Sequence, residues 1–225
     1  MDFNLTKEQE LLRKMAAQFA AQYCEPEAAE LDETHEFLHD TWKKMAEVGL
    51  LRVNHGEQYG GTGHDAIGEM IVIEELSKAS LTHGATYALL ANGFPTFIEK
   101  FGTEEQKMEF IPQVLNDGVI GSFCLTEPDA GSDATGIHTT SVRDGDDYIL
   151  NGTKCFITAA GHNRSGTQPA NQQHTCINSQ LHQRHIKSQN LLRLYKIPVN
   201  IIGNLIKLSG YEPDVEIPIV YSGLR

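Results

Sequence analysis

Apolar residues recur at helical spacing through the first half of the chain. Leu11, Leu12, Met15, Ala16, Phe19 and Ala20 make one stripe. Ahead of it, Thr6-Lys7-Glu8-Gln9 has the order of a capping box, in which a threonine hydroxyl and a glutamine amide satisfy each other's backbone N–H groups. The spacing predicts a helix from Thr6 that ends or bends near Cys24, because Pro26 has no N–H to donate. The acidic run over residues 25–36 reads as a solvated segment leading into the next helix. Residues 38–48 repeat the helical period, with Trp42, Met45 and Ala46 inward and Gly49 as the stop. Residues 66–78 predict a strong helix with Ile67, Met70, Ile71, Ile73 and Leu76 apolar and Glu74-Glu75 on the wetted side. Residues 85–101 are apolar on nearly every side, which predicts a central helix kinked at Pro95. A second capping box, Thr103-Glu104-Glu105-Gln106, opens a helix to Leu115, and Asn116-Asp117-Gly118 stops it.

Beyond Gly118 the period shortens to two. Gly121-Ser122-Phe123-Cys124-Leu125-Thr126 predicts a strand with Phe123 and Leu125 against Ser122 and Cys124. Glu127-Pro128-Asp129-Ala130-Gly131-Ser132-Asp133 is turn material, in which Gly131 lets the backbone pass close to something bulky. Asp144-Gly145-Asp146-Asp147 predicts a hairpin loop, and Asn151-Gly152 a type I′ turn before a strand through Lys154-Cys155-Phe156-Ile157-Thr158. Helices followed by strands predict an α+β fold, with domain limits at 1–119, 120–161 and 162–225. The last stretch is different in character. Residues 162–190 are rich in Asn, Gln, Ser and His and keep no period, so loop or disorder is expected. Residues 191–208 predict a strand or short helix broken by Pro198 and Gly203, and Pro213 and Pro218 bracket a weak strand.

Composition narrows the function. The 225 residues are 40% apolar and 21% charged, ordinary for one or two globular domains. The net charge of −12 is uneven: residues 1–161 carry 27 acids against 11 Lys/Arg, and residues 162–225 carry 3 against 7. An acidic body repels nucleic acid, and the tail's charges are too scattered to attract it. Cys24, Cys124, Cys155 and Cys176 have no CxxC spacing and read as reduced thiols. With no basic, apolar leader and no run near the ~20 residues of a membrane helix, a soluble cytoplasmic protein is expected. The glycines at 60, 61 and 63 lack the GK[ST] of a phosphate loop and read as a flexible helix connection. His55, His64 and His83 lack ligand spacing. His182 and His185, with His174 and Cys176 upstream, form a weak zinc signal without a second matched pair, so no metal is assigned.

Leu-Thr-Glu-Pro-Asp-Ala-Gly-Ser-Asp-Ala at 125–134, followed by Asn-Gly-Thr-Lys-Cys-Phe-Ile-Thr at 151–158, resembles the flavin-binding signature of the acyl-CoA dehydrogenases. The opening MDFNLTKEQELL, EQYGGTG at 57–63 and FGTEEQKMEFIPQVLNDG at 101–118 fall in that family's order and at about its spacing. The resemblance covers residues 1–161. It implies a helical N-terminal domain, a middle β-domain and a C-terminal four-helix bundle. This chain is therefore expected to hold an all-helical N-terminal domain and an incomplete β-domain, with the bundle absent. The loss of likeness and of acidic charge after Gly161 points to a shifted frame or a disrupted gene.

The resemblance also implies FAD as cofactor, acyl-CoA as substrate and desaturation between Cα and Cβ. By similarity, Phe123, Leu125, Thr126, Gly131 and Ser132 lie on the flavin-contacting segment, and Ser132 would also touch the CoA portion. Phe156, Ile157 and Thr158 would cover a second side of the ring, with Phe156 where many relatives carry tryptophan. The bland reading makes Phe123, Leu125, Phe156 and Ile157 plain sheet core. Glu127 and Asp133 read as turn-stabilising groups, because the family's base is a glutamate of the C-terminal bundle to which no residue here corresponds; no catalytic residue is assigned. The glycine-rich loop at 53–65 would lie by the acyl-chain entrance. Intact relatives pass electrons to an electron-transferring flavoprotein and form homo-oligomers through the bundle. The alternative is a non-catalytic remnant or interaction module of the same fold. A third possibility keeps the scaffold for an oxidase or monooxygenase.

Overall fold

The computed structural model describes residues 4–63, 65–144, 147–159, 181–184 and 219–222. The chain divides into two compact units, Met1–Thr96 with Met108–Val119, and Phe97–Lys107 with Ile120–Arg225.

In the first unit α1 (Lys7–Phe19) starts where its capping box predicts. Gln9 N donates to Thr6 Oγ1 at 3.2 Å and Thr6 N donates to Gln9 Oε1 at 3.1 Å. The chain does not break before Pro26. It passes through a π-turn, Ala20–Cys24, and resumes as α2 (Glu25–Thr34), with Pro26 in its first turn. The acidic run expected as a solvated segment is thus a helix, one that buries none of its residues. In α3 (His39–Glu47) Trp42, Met45 and Ala46 are buried as the period predicts. The Trp42 indole N–H donates to Gly118 O at 2.9 Å.

The glycine-rich loop after α3 is closely tied, contrary to the flexible connection expected. Thr62 N donates to Arg52 O at 3.0 Å, Gly61 N to Gly56 O at 3.1 Å and Gly63 N to His55 O at 2.9 Å. A Cβ on Gly61 would stand 2.1 Å from His55 O, so only glycine fits. His55 is fully buried and its Nε2 lies 2.7 Å from Ala91 O, which makes Nε2 the protonated ring nitrogen. Pro95 cannot donate to that carbonyl four residues back, and the imidazole takes the helical N–H's place.

Helix α4 (Ala66–Ala79) is capped by Asp65 and packs on α1. Its buried face is Gly68, Ile71, Val72, Glu75 and Leu76, while Ile67 and Met70 are more than half exposed. The expected stripe is rotated, and Glu75, expected on the wetted side, is 8% exposed. The cause is the fit to α1: Gly68 brings the helices close, its would-be Cβ lying 3.1 Å from Leu12 Cδ2. Glu75 is compensated by Lys78 at 2.8 Å and faces Arg13 Nε at 3.7 Å. The helix expected over residues 85–101 is three pieces, α5 (Leu81–Tyr87), a π-turn Ala88–Gly93 and α6 (Phe94–Phe101), with Pro95 in the first turn of the last. Tyr87 is wholly buried and its hydroxyl donates to Leu50 O at 2.9 Å; burial, and then the Glu69 charge, push its phenol upward.

Helix α7 (Glu104–Asp117) realises the second capping box, with Thr103 N to Gln106 Oε1 at 2.9 Å and Gln106 N to Thr103 Oγ1 at 3.3 Å. It continues through Pro112. Gly118, at φ +66, ends it.

In the second unit β1 (Gly121–Cys124) pairs antiparallel with β5 (Ile219–Ser222), Gly121 opposite Ser222. β2 (Thr140–Asp144) and β3 (Asp147–Gly152) form the expected hairpin, Thr140 opposite Asn151 and Asp144 opposite Asp147. β4 (Leu181–Arg184) adds to β3, so a strand forms within the polar stretch expected as loop, and the sheet order is β2-β3-β4. Asn151-Gly152 ends β3 instead of making a type I′ turn, and residues 153–159 are irregular instead of a strand. Here a Cβ on Gly152 would stand 2.1 Å from Thr139 Oγ1, so the glycine serves close approach. Helices followed by antiparallel strands make the fold α+β. The expectations for residues 162–180 and 185–218, including His174, Cys176 and His185, and for His64, lie outside the described residues. Among the described residues no helix is long and apolar enough to cross a membrane, and no three His, Cys, Asp or Glu side chains gather as metal ligands.

Candidate functional site

Strand faces alternate, and β1 turns its polar face inward. Ser122 and Cys124 are buried to 0% and 1% exposure, whereas Phe123 and Leu125 are half-buried. Ordinary core packing would have the reverse. Phe123 has an aromatic neighbour in Phe97, at 5.5 Å between ring centroids.

The chain reverses after Thr126. Glu127 N donates to Ala130 O at 2.9 Å and Ala130 N to Glu127 O at 3.2 Å, which closes the turn. Residues 152–159 then run back alongside β1 and the residues after it. The bonds joining the two segments include Ser122 Oγ to Thr158 O at 2.9 Å, Lys154 Nζ to Leu125 O at 2.9 Å, and Cys155 N to Thr126 O at 2.9 Å. Phe123, Leu125 and Thr126 are thereby brought beside Phe156, Ile157 and Thr158. Gly131 and Ser132 stand exposed beyond the turn. A Cβ on Gly131 would meet no protein atom within 4 Å, so the bulky neighbour expected for it is not part of this chain's described packing.

Phe156 is the most unusual of these positions. Its φ is +57, a left-handed backbone that a bulky side chain rarely adopts and that costs on the order of 1–3 kcal/mol. The ring is 92% exposed, so apolar burial within the chain does not offset that cost.

Behind this edge lies a charge pair. Glu127 is 5% exposed and Lys154 3%, with Lys154 Nζ 2.7 Å from Glu127 Oε1. Glu127 also accepts from His138 N at 2.6 Å, from Thr139 N at 3.1 Å and from the Thr139 hydroxyl. Burial pushes the Glu127 carboxyl up, but Lys154, the Thr139 hydroxyl and the two backbone N–H groups outweigh it and hold the group at about 2. Such a carboxylate is too weak a base to take an α-proton. The turn-stabilising role expected for Glu127 agrees with these bonds. Asp133 does the same on a smaller scale: it accepts from Thr135 Oγ1 and Thr135 N, and those bonds hold its carboxyl below the usual range. The sequence reading missed Lys154 and Thr139. A lone lysine amid Cys155, Phe156 and Ile157 was the available signal, since a cation in an apolar run needs a buried partner.

Phe123, Leu125 and Thr126 on one of these joined segments, and Phe156, Ile157 and Thr158 on the other, are all at least partly exposed. That set fits a flat heterocycle with a polar rim, held by apolar contact on its faces and by hydroxyl and backbone groups at its edge. The chain's relatives agree in kind. Residues 6–117 match the family model described as acyl-CoA dehydrogenase, N-terminal domain, and residues 122–180 match acyl-CoA dehydrogenase, middle domain. The second match runs past Gly161, further than the motifs carried the resemblance. The chain is 42% identical over 161 residues to the short-chain specific acyl-CoA dehydrogenase of Clostridium acetobutylicum, covering 72% of this chain and 42% of that protein. It is 42% identical over 163 residues to acryloyl-CoA reductase (NADH) of Anaerotignum propionicum, covering 72% and 41%. It superposes on the acyl-CoA dehydrogenase of Bacillus anthracis complexed with FAD with a TM-score of 0.64 and 32% identity, covering 70% of this chain and 27% of that one. The chain thus spans less than half the length of these relatives. Over the N-terminal and middle domains, the chain belongs to the acyl-CoA dehydrogenase family.

Proposed function

We propose that the chain supplies the flavin-facing edge of an FAD-dependent enzyme that desaturates acyl-CoA thioesters between Cα and Cβ. One observation carries this reading: Phe123, Leu125, Phe156 and Ile157 lie on two segments hydrogen-bonded to each other, yet none of the four is buried. Sheet-core residues would be. In this reading residues 1–119 are the helical domain, and the flavin-binding β-domain starts at residue 120. The partial β-domain takes residues 120–161 and the divergent tail residues 162–225, and the family match over residues 122–180 overlaps the start of that tail. Phe156 and Ile157 would lie on one side of the ring, and Leu125 and Thr126 would offer backbone and hydroxyl contacts at its rim. Gly131 leaves room for close approach, and Ser132 would meet the CoA portion. The chemistry the group supplies when bound is acceptance of a hydride from the acyl β-carbon while the α-proton leaves to a base.

Glu127 and Asp133 do not suit that base, since Glu127 is ion-paired and Asp133 is committed to Thr135. We therefore assign this chain cofactor and thioester contacts and no catalytic residue. An electron-transferring flavoprotein as electron acceptor and a homo-oligomeric assembly are proposals for the whole enzyme. The relative named as a reductase favours a second reading, the same edge serving reduction of the unsaturated thioester.

The test is to titrate FAD into the flavin-free chain and follow quenching of its fluorescence, then add butyryl-CoA. We expect flavin uptake without catalytic bleaching. A folded chain that leaves FAD fluorescence unchanged overturns the reading in favour of a non-catalytic interaction module. Catalytic bleaching overturns the absence of a base.

A further inference from the structure

We propose that Lys154, held in place by Glu127 and Thr139, is a positioning residue that polarises the Leu125–Thr126 peptide toward the flavin. The inference rests on the flavin-edge reading above and names the part of the chain that tunes it.

Lys154 Nζ donates to Leu125 O at 2.9 Å. That carbonyl and the Thr126 N–H belong to one peptide unit. A full positive charge on the oxygen draws electron density through the planar amide and makes the N–H a stronger donor. The effect is large only where water does not screen it, and the Lys154 side chain is 1% exposed. Reduction adds negative character to the rim of a flavin ring, so a strengthened donor there favours the reduced state.

The surroundings fix the ammonium instead of merely neutralising it. Glu127 Oε1 receives Lys154 Nζ, Thr139 N and the Thr139 hydroxyl, and Glu127 Oε2 receives His138 N. Thr139 is itself pressed against Gly152, two residues before Lys154. Three stretches are therefore locked to one another, and Cys155 N to Thr126 O at 2.9 Å adds a bond beside the Leu125 carbonyl. An ion pair needed only for stability could be replaced by apolar side chains of similar volume. The contact to a main-chain carbonyl on the candidate edge is what such a replacement would lose.

The test uses the full chain as wild type, Lys154→Met and the double variant E127Q/K154M. The double variant removes both charges at nearly constant volume, so it keeps the question open to measurement if the single variant does not fold. The first readout is amide hydrogen exchange without flavin, where Cys155, whose N–H donates to Thr126 O, should exchange about tenfold faster in the variants and Ile111 should not change. The second is the midpoint potential of bound FAD. We expect the equilibrium constant for two-electron reduction to fall about tenfold, a downward shift of about 30 mV. A folded double variant that binds FAD at an unchanged potential overturns this proposal and leaves the flavin-edge reading standing. A wild-type chain that takes up no FAD overturns the flavin-edge reading, and this proposal with it.

Discussion

Lys154 Nζ stands 2.7 Å from Glu127 Oε1, with the two side chains 1% and 5% exposed. Removing one member leaves a buried charge without compensation. Glu127→Ala should therefore lower the unfolding free energy by about 3–5 kcal/mol at pH 7, read as a lower urea midpoint at unchanged slope. An unchanged midpoint would mean that the pair is open to water.

The same carboxylate gives a pH dependence with a definite sign. Its folded pKa, about 2, lies below its ordinary value of 4.5, so the folded state favours the ionised form. That contribution is complete above pH 4.5 and is lost as the pH falls from there through about 2. The urea midpoint should fall across this window, and Glu127→Gln should flatten that part of the curve. Equal slopes for the two proteins would assign acid sensitivity elsewhere.

Gln9 links two helix starts. It completes the Thr6 capping box, and its Nε2 also donates to both oxygens of Asp65, at 3.3 and 3.2 Å, the residue that caps α4 through Ile67 N. Asp65→Ala should cost about 1 kcal/mol for the lost cap. In a double-mutant cycle with Gln9→Ala the coupling should be about 0.5–1 kcal/mol. Strict additivity would show that the bridge contributes nothing.

Two glycines should respond in opposite ways. Gly61→Ala forces a Cβ to within 2.1 Å of His55 O and should destabilise by at least about 1–3 kcal/mol. Gly131→Ala meets no protein atom within 4 Å and should leave the melting temperature within about one degree, while weakening FAD uptake. Unimpaired uptake by Gly131→Ala would remove that glycine from the flavin contacts.

Thiol mapping offers an independent check on packing. Cys24 is buried, and burial, and then the Glu27 charge, push its thiol to about 12. Cys124 is buried as well, and Cys155 is half-buried. With a thiol reagent at pH 8, Cys155 should be modified first of these three, and Cys24 only with unfolding. Early labelling of Cys24 would contradict the π-turn packing.

The amino-acid sequence by itself determined what short-range chemistry decides. Both capping boxes, the helices that follow them, the inward Trp42, Met45 and Ala46, and the hairpin from Asp144 to Asp147 all depend on neighbours within about a helical turn or across one tight loop. The flavin motif was legible in the same way, as two compact strings of residues. Which face each element buries was decided only by tertiary structure. Glu75 is inside because Gly68 lets α1 and α4 close on that side, and Ser122 and Cys124 are inside although Phe123 and Leu125 are the more apolar pair. Lys154 meets Leu125 across 29 positions of sequence, a pairing no local period encodes. A side chain's periodicity reports which neighbours share its face; what that face meets depends on residues brought together only by the fold.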